Sequence, residues 1–160
     1  MSSLKGYFEL EQSIQQAILQ ELQMSVNVEL YDEFLWTNEE NTLSFCPWTD
    51  ENTDKLWQEW IEKTFNVQFH DFSDIFYFSF LHELGHKMTL KFVSKKEYKK
   101  GMKLQQKEEL IPYWSCYREY IATKWAVDFC LNHWQQFENF SKIVFEALQQ
   151  FYKINSVIND

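Results

Sequence analysis

Apolar residues recur at helical spacing in the first part of the chain. Leu10, Ile14 and Ile18, joined by Ala17 and Leu22, lie on one face, and glutamates and glutamines fill the positions between them. An apolar stripe with this period is typical of an amphipathic helix that packs one side against a core. We therefore predict a scaffold helix over about residues 7 to 23.

The pattern then changes to alternation. Val26, Val28 and Leu30 alternate with polar residues, and a polar turn at residues 38–41 precedes a short run at residues 42–46. Alternation with a period of two predicts strands, so we expect a hairpin or a small N-terminal sheet. The run at 42–46 is compatible with a plain structural strand and equally with an edge strand that pairs with an extended substrate.

Helical periodicity returns in the middle of the chain. A helix behind a capping region at residues 50–53 and a short extended piece at residues 67–69 are expected there. Ser73 and Asp74 then form a good helix start, and apolar residues continue from there, which predicts a helix over about residues 74–91. The helix that follows residues 50–53 has an apolar face made of Trp57, Trp60, Ile61 and Phe65.

The pattern of apolar residues in the second half of the chain also predicts helices. Residues 87–107 form either a helix or a mobile connection, and Pro112 marks the start of a long helix over residues 113–133. The chain contains no repeat and no linker, so we expect one domain over residues 1–160 with a mostly helical α+β fold. A last amphipathic helix carries Phe137, Phe140, Val144, Leu148 and Phe151.

Charge is unevenly distributed along this acidic chain, whose formal net charge is −9. Residues 1–74 hold fifteen acids and three lysines, whereas residues 87–107 hold eight lysines and one acid. Arg118 is the only arginine. Nucleic-acid binding depends on basic surfaces and on guanidinium groups, so the composition argues against a direct nucleic-acid partner. The lysines could attract an acidic substrate, although a solvated helix face is the simpler explanation.

The cysteines and the hydropathy of the chain indicate where in the cell the protein is located. Cys46, Cys116 and Cys130 form an odd set without CxxC spacing, which argues against a disulfide framework and favours buried, reduced thiols. The N-terminal residues lack a signal-peptide core, and the longest apolar run, at residues 75–81, is too short to span a membrane. We expect a cytoplasmic protein without a membrane partner.

The segment His82-Glu83-Leu84-Gly85-His86 contains the residues that we expect to bind a metal ion and to catalyse a reaction. Residues at i and i+4 share a helix face, so His82 and His86 can direct two imidazole nitrogens at one zinc ion. Glu83 projects beside that face, where it can accept a proton from zinc-activated water as a general base. The alternative is a pair of partly buried, hydrogen-bonded histidines with Glu83 on the solvent side.

A catalytic zinc needs a third protein ligand. Glu119 is the preferred residue, because alanines at i+3 and i+7 on its face, Ala122 and Ala126, allow a close approach to the histidine helix. Asp128 is only the reserve ligand, because it points to roughly the opposite side of the helix from Glu119. The alternative for Glu119 is a surface carboxylate paired with Arg118 or Lys124.

These two motifs resemble those of the ImmA/IrrE family of small HExxH zinc metallopeptidases, a gluzincin-like group. The family signature is HELGH followed by a helix of the form E-x-x-A-N-x-F-A, and this chain matches it over residues 82–86 and at Glu119, Ala122 and Ala126. Thr123 replaces the usual Asn and Trp125 the usual Phe. The resemblance covers about half of the chain, and residues 49–72 look like an insertion.

The resemblance implies a zincin-like domain in which the HExxH helix packs on the helix of the third ligand. It also implies a cytoplasmic zinc metallopeptidase that cuts a regulatory protein such as a DNA-binding repressor. We therefore predict a hydrolase with catalytic Glu83 and a Zn2+ ion held by His82, His86 and Glu119. The alternative is a non-catalytic zinc-binding interaction or inhibitor protein of a mobile genetic element.

Several residues could support catalysis or orient the ligand histidines. An oxyanion that forms during peptide hydrolysis needs a hydrogen-bond donor, and four aromatic or histidine side chains lie on or beside the third-ligand helix. Core or interface packing is the simpler explanation for each of them. Thr123 or Asp128 could accept a hydrogen bond from a ligand histidine. The four side chains near the third-ligand helix are Tyr113, Tyr117, Tyr120 and His133.

Overall fold

A computed structural model describes residues 2–48, 50–70 and 74–159. It divides into two compact units, one built from Met1–Trp48 and His133–Asp160 and the other from Thr49–Asn132. The predicted mostly helical α+β fold with a small N-terminal sheet is confirmed. The single domain and its zincin-like type stay predictions.

Two long helices build the first unit. Helix α1 (Ser2–Leu22) packs along helix α7 (Trp134–Asn159), and both bury the apolar faces that the sequence predicts. Ile14 and Ile18 of α1 and Phe140 and Val144 of α7 are fully buried. The helices form as predicted because each carries one continuous apolar stripe that the other covers.

A three-stranded sheet accompanies these helices. Strands β1 (Asn27–Leu30), β2 (Leu35–Thr37) and β3 (Thr42–Phe45) have the spatial order β1-β3-β2. Strand β3 pairs in parallel with β1 and antiparallel with β2, and all four of its residues are buried. The suggestion that residues 42–46 form a substrate-binding edge is therefore wrong, because both backbone edges of β3 already have strand partners.

The second unit begins with helix α2 (Glu51–Phe65). Asp50 caps its N-terminus by accepting a hydrogen bond from the Thr53 N–H, and Asn66 ends it in the left-handed conformation, with φ of 55°. Two residues of the predicted apolar face, Trp57 and Ile61, are buried, and the other two are half-buried. Residues 67–69 are irregular rather than a strand.

Helix α3 (Asp74–Thr89) contains the histidine motif and is followed by a short 3₁₀ turn, Leu90–Phe92. Its predicted start at Ser73 lies outside the described residues. Every residue from Ile75 to Gly85 is buried, so this helix is the core of the second unit.

Three further helices complete the unit: α4 (Lys95–Gln106), α5 (Leu110–Ser115) and α6 (Tyr117–Asn132). The lysine-rich segment is thus a helix over most of its length. The predicted continuous helix 113–133 is wrong, because Cys116 has an extended backbone, with ψ of 152°, between α5 and α6. Glu119 consequently lies in the first turn of a new helix. Within the described parts of the chain, no helix has the length and apolar character needed to cross a membrane.

Candidate metal centre

The close packing of α3 against α6 creates the candidate site. A Cβ atom built on Gly85 would lie 2.4 Å from the main-chain oxygen of Ala122, so no other residue fits there without moving the backbone. The Gly85 backbone is ordinary helix, and this glycine is required for close approach rather than for conformational freedom. Ala122 is buried, and its small side chain lets the two helices approach at this level, next to His86 and about one turn from His82 and Glu119.

The structure brings His82, His86 and Glu119 together. The Nε2 atoms of His82 and His86 lie 3.1 and 3.2 Å from the same atom, Oε1 of Glu119. All three candidate ligand atoms lie within 4.8 Å of one another. Ligand atoms held at 2.0–2.1 Å from a tetrahedral zinc ion are separated by about 3.3 Å, so the nitrogen–oxygen distances match those around such an ion.

Thr123 defines which nitrogen of His82 carries the proton. Its hydroxyl donates its one proton to the main-chain oxygen of Glu119 at 2.9 Å and therefore accepts from Nδ1 of His82 at 3.0 Å. In the neutral imidazole, Nε2 then presents a lone pair to the Glu119 carboxylate. Thr123 thus plays the supporting part that the sequence left open between it and Asp128.

The arrangement of lone pairs tests whether a metal ion fits. Two acceptors 3.1 Å apart repel each other unless a proton or a cation lies between them. A cation between His82 and Glu119 would also satisfy Nε2 of His86, which approaches the same oxygen. Two imidazole nitrogens and one carboxylate oxygen are a typical donor set of a catalytic zinc site, so these residues fit zinc.

Glu119 is buried, with a relative exposure of 4%, which contradicts the alternative of a surface carboxylate. Burial by itself would raise the pKa of this carboxyl, but the charge of a protonated His86 and hydrogen bonds from protonated His82 and His86 would hold that pKa well below its ordinary value. Lys124 instead pairs with Asp128 on the surface at 3.7 Å. The reserve ligand Asp128 is exposed and is not part of the cluster.

Arg118 is the site residue that sequence reasoning missed. Its Nε donates to Oε2 of Glu119 at 2.9 Å, and its terminal nitrogen donates to the Tyr113 hydroxyl at 3.3 Å. Burial disfavours a charged guanidinium, yet Glu119 and Tyr113 keep the pKa of Arg118 above its ordinary value. Its position next to Glu119 is the available signal in the sequence, but adjacency in a sequence does not distinguish a buried pair from a surface pair.

Glu83 is buried on α3, with a relative exposure of 8%, so the alternative that places it on the solvent side does not hold. Burial raises the pKa of the Tyr113 hydroxyl, and the charges of Glu119 and Glu83 raise it further, while Arg118 acts in the opposite direction. The phenol therefore stays protonated at neutral pH. Tyr113 is the one of the four possible oxyanion donors that a hydrogen bond from Arg118 links to Glu119.

The remaining candidates lie elsewhere. Tyr117 and His133 are exposed, and Tyr120 stacks on Phe65 with ring centroids 5.2 Å apart. From α2, Trp57 contacts the His82 ring edge-on at a centroid distance of 5.3 Å. The segment that looks like an insertion thus supplies one wall of the candidate site.

We expect Thr123→Val to lower the affinity for a metal ion at this cluster by about 10–100-fold, because valine keeps the shape of the side chain but cannot accept the His82 Nδ1 hydrogen bond. Competition with a colorimetric chelator measures the affinity. Thr89→Val is the matched control: the buried Thr89 hydroxyl donates to the main-chain oxygen of Gly85 at 2.7 Å, and no hydrogen bond joins it to a histidine. Equal losses in the two variants would contradict the role of Thr123.

Comparison of the chain with protein-family models, with curated proteins and with solved structures finds no match. The resemblance to the ImmA/IrrE family accordingly rests on the two motifs, and the functional argument rests on the geometry of the site.

Proposed function

We propose that this chain is a zinc-dependent peptidase that hydrolyses a peptide bond in a regulatory protein such as a DNA-binding repressor. The observation that carries the proposal is the convergence of His82, His86 and Glu119, with Glu83 buried on the same helix as the histidines. A structural metal site needs ligands only, whereas hydrolysis also needs a base.

His82, His86 and Glu119 would hold the ion. Zinc bound there would polarise the scissile carbonyl and lower the pKa of a water molecule to about 7. Thr123 keeps the Nε2 lone pair of His82 directed at the ligand position. Trp57 packs edge-on against the His82 ring and supports its orientation from that side.

Glu83 takes the proton from the attacking water as the water oxygen bonds to the carbonyl carbon. It then delivers that proton to the nitrogen of the leaving amine as the carbon–nitrogen bond breaks. The protonated hydroxyl of Tyr113 is the group that donates a hydrogen bond to the oxyanion in this proposal. Tyr113 accepts a hydrogen bond from Arg118, which leaves its own proton available for that bond.

Metal content is the first test of the proposal. We expect about one zinc per chain in protein prepared without chelator, and release of the zinc in acid, because protonated histidines cannot bind the ion. Glu119→Ala should lower zinc affinity by at least about 10–100-fold, since it removes a direct ligand. Inductively coupled plasma mass spectrometry and chelator competition measure both quantities.

Asp128→Ala is the control for Glu119→Ala. It removes a carboxylate from the same helix, but one that is exposed and paired with Lys124, so zinc affinity should stay unchanged. Protein that neither contains zinc nor takes it up on titration would overturn the proposal. Equal affinity in Glu119→Ala and Asp128→Ala would overturn the assignment of the third ligand.

A further inference from the structure

Arg118 occupies an unusual place for a cation. It is the second residue of α6, where the positive end of the helix dipole disfavours a positive charge, and it is 9% exposed. Neither helix preference nor solvation explains a buried arginine at this position. Its contacts must therefore offset both costs, and a departure from a local rule of this kind is expected at functional sites.

Those contacts hold the guanidinium from several sides. Nε bonds to Oε2 of Glu119 and a terminal nitrogen bonds to Tyr113. The guanidinium also lies over the ring of Tyr98, with its central carbon 5.0 Å from the ring centroid, and 5.8 Å from the centroid of Tyr113. A planar, forked cation can satisfy all of these contacts at once, whereas the point charge of a lysine cannot.

Gly101 of α4 leaves the space that the arginine fills. A Cβ atom at this position would lie 2.8 Å from Nε and 3.0 Å from Cζ of Arg118. Gly101 is buried within a helix whose lysines are all exposed. The inner side of the lysine-rich helix is thus shaped around the side chain that bonds the candidate third ligand.

The two oxygens of Glu119 have different partners as a result. Oε1 faces His82 and His86, while Oε2 accepts from Arg118. With Oε2 engaged, one oxygen remains for the metal ion, and the carboxylate cannot rotate without breaking the bond to Arg118.

We infer that Arg118 is a positioning residue that holds Glu119 as a one-oxygen ligand, and that α4 holds Arg118 in place through Gly101 and Tyr98. The inference rests on the proposed metal site. It gives α4 a role in metal binding that depends on the side facing Arg118 and not on its exposed lysines.

The first test is Arg118→Lys, which keeps the charge and loses the fork. Zinc affinity, measured by chelator competition, should fall by about 10–100-fold. Substitution of Co2+ for zinc adds a second measurement, the visible absorption spectrum of the bound cobalt. This spectrum should stay unchanged if Arg118 only stabilises the fold. Tetrahedral cobalt absorbs visible light more strongly than cobalt of higher coordination number. The bands should therefore weaken in the variant, because the released Oε2 can join Oε1 on the ion.

Gly101→Ala tests the same inference without changing a charged group. Alanine has the higher helix propensity, so α4 should form at least as well, while the added methyl group displaces the guanidinium. We expect zinc affinity and the cobalt bands to fall as in Arg118→Lys, while the circular dichroism spectrum stays that of the folded protein, because the atoms that must move belong to a side chain and not to the backbone. Loss of metal binding then cannot be attributed to unfolding, even if Arg118→Lys folds poorly.

Gly6→Ala is the matched control. Its added Cβ would meet Ile154 at 3.5 Å, an ordinary contact in the other unit, so the affinity and the spectrum should match those of the wild type. Wild-type protein without zinc binding would overturn the proposed function together with this inference. Zinc binding in the wild type, with the same affinity and cobalt spectrum in Gly101→Ala and Arg118→Lys, would overturn the positioning role alone.

Discussion

Glu83→Gln is expected to keep its zinc and its fold while peptide hydrolysis falls by about 10²–10⁴-fold, the range typical of lost general-base catalysis. Glutamine has nearly the size of glutamate and retains hydrogen-bonding capacity, but it cannot take a proton from water. Glu83 is buried, so the substitution replaces a charged group with a neutral one of the same shape and should not destabilise the helix. The three candidate metal ligands remain unchanged.

The measurement compares wild type and Glu83→Gln on a candidate repressor and on a peptide library, with products identified by mass spectrometry. Zinc content and circular dichroism of both proteins are recorded in parallel. Glu62→Gln in α2 is a control of the same chemistry outside the cluster, and it should leave hydrolysis unchanged. If neither protein cuts and both perform the biological function equally, the chain is a zinc-holding interaction protein and the peptidase proposal fails.

Gly85→Ala should have the largest effect on the site as a whole. The new methyl group would lie 2.4 Å from the oxygen and 3.0 Å from the carbon of the Ala122 carbonyl, and main-chain atoms in a packed helix cannot move aside. Helices α3 and α6 must separate, which moves His82 and His86 away from Glu119. We expect zinc binding to be lost and the free energy of unfolding to fall by about 3 kcal/mol, at the upper end of the usual cost of overpacking.

Urea unfolding and chelator competition test this expectation. A second substitution sharpens it: Ala122→Gly in the Gly85→Ala background should not restore zinc binding, because the clash is with the backbone of residue 122 and not with its side chain. Wild-type zinc affinity in Gly85→Ala would show that close contact of the two helices is not required for the site.

Elements with a single continuous apolar stripe are the ones whose sequence pattern predicts them well. Helices α1 and α7 have the expected buried faces. Helix α3 is buried on all sides over Ile75–Gly85, and its bounds lie close to the expected ones because a long apolar run marks its first half. Strand β2 was missed because its three residues are too few to show alternation. The break at Cys116 was missed because the helical pattern continues across it, and the extended backbone of one residue leaves no periodic signal.

The residues of the candidate site also fall into two groups, those that the sequence predicts and those that only the tertiary structure brings together. The pairing of His82 with His86 follows from helix geometry alone, because residues four apart share a face in any helix. The choice of Glu119 over Asp128 needed the alanine spacing and the resemblance, and the structure brings Glu119 to the histidines. Only the packing of helices distant in sequence decided that Gly85 touches the Ala122 backbone, that Thr123 bonds His82, and that Arg118 is enclosed by α4. These contacts join residues about 17 to 41 positions apart, and no local period of a helix or strand encodes such a pairing.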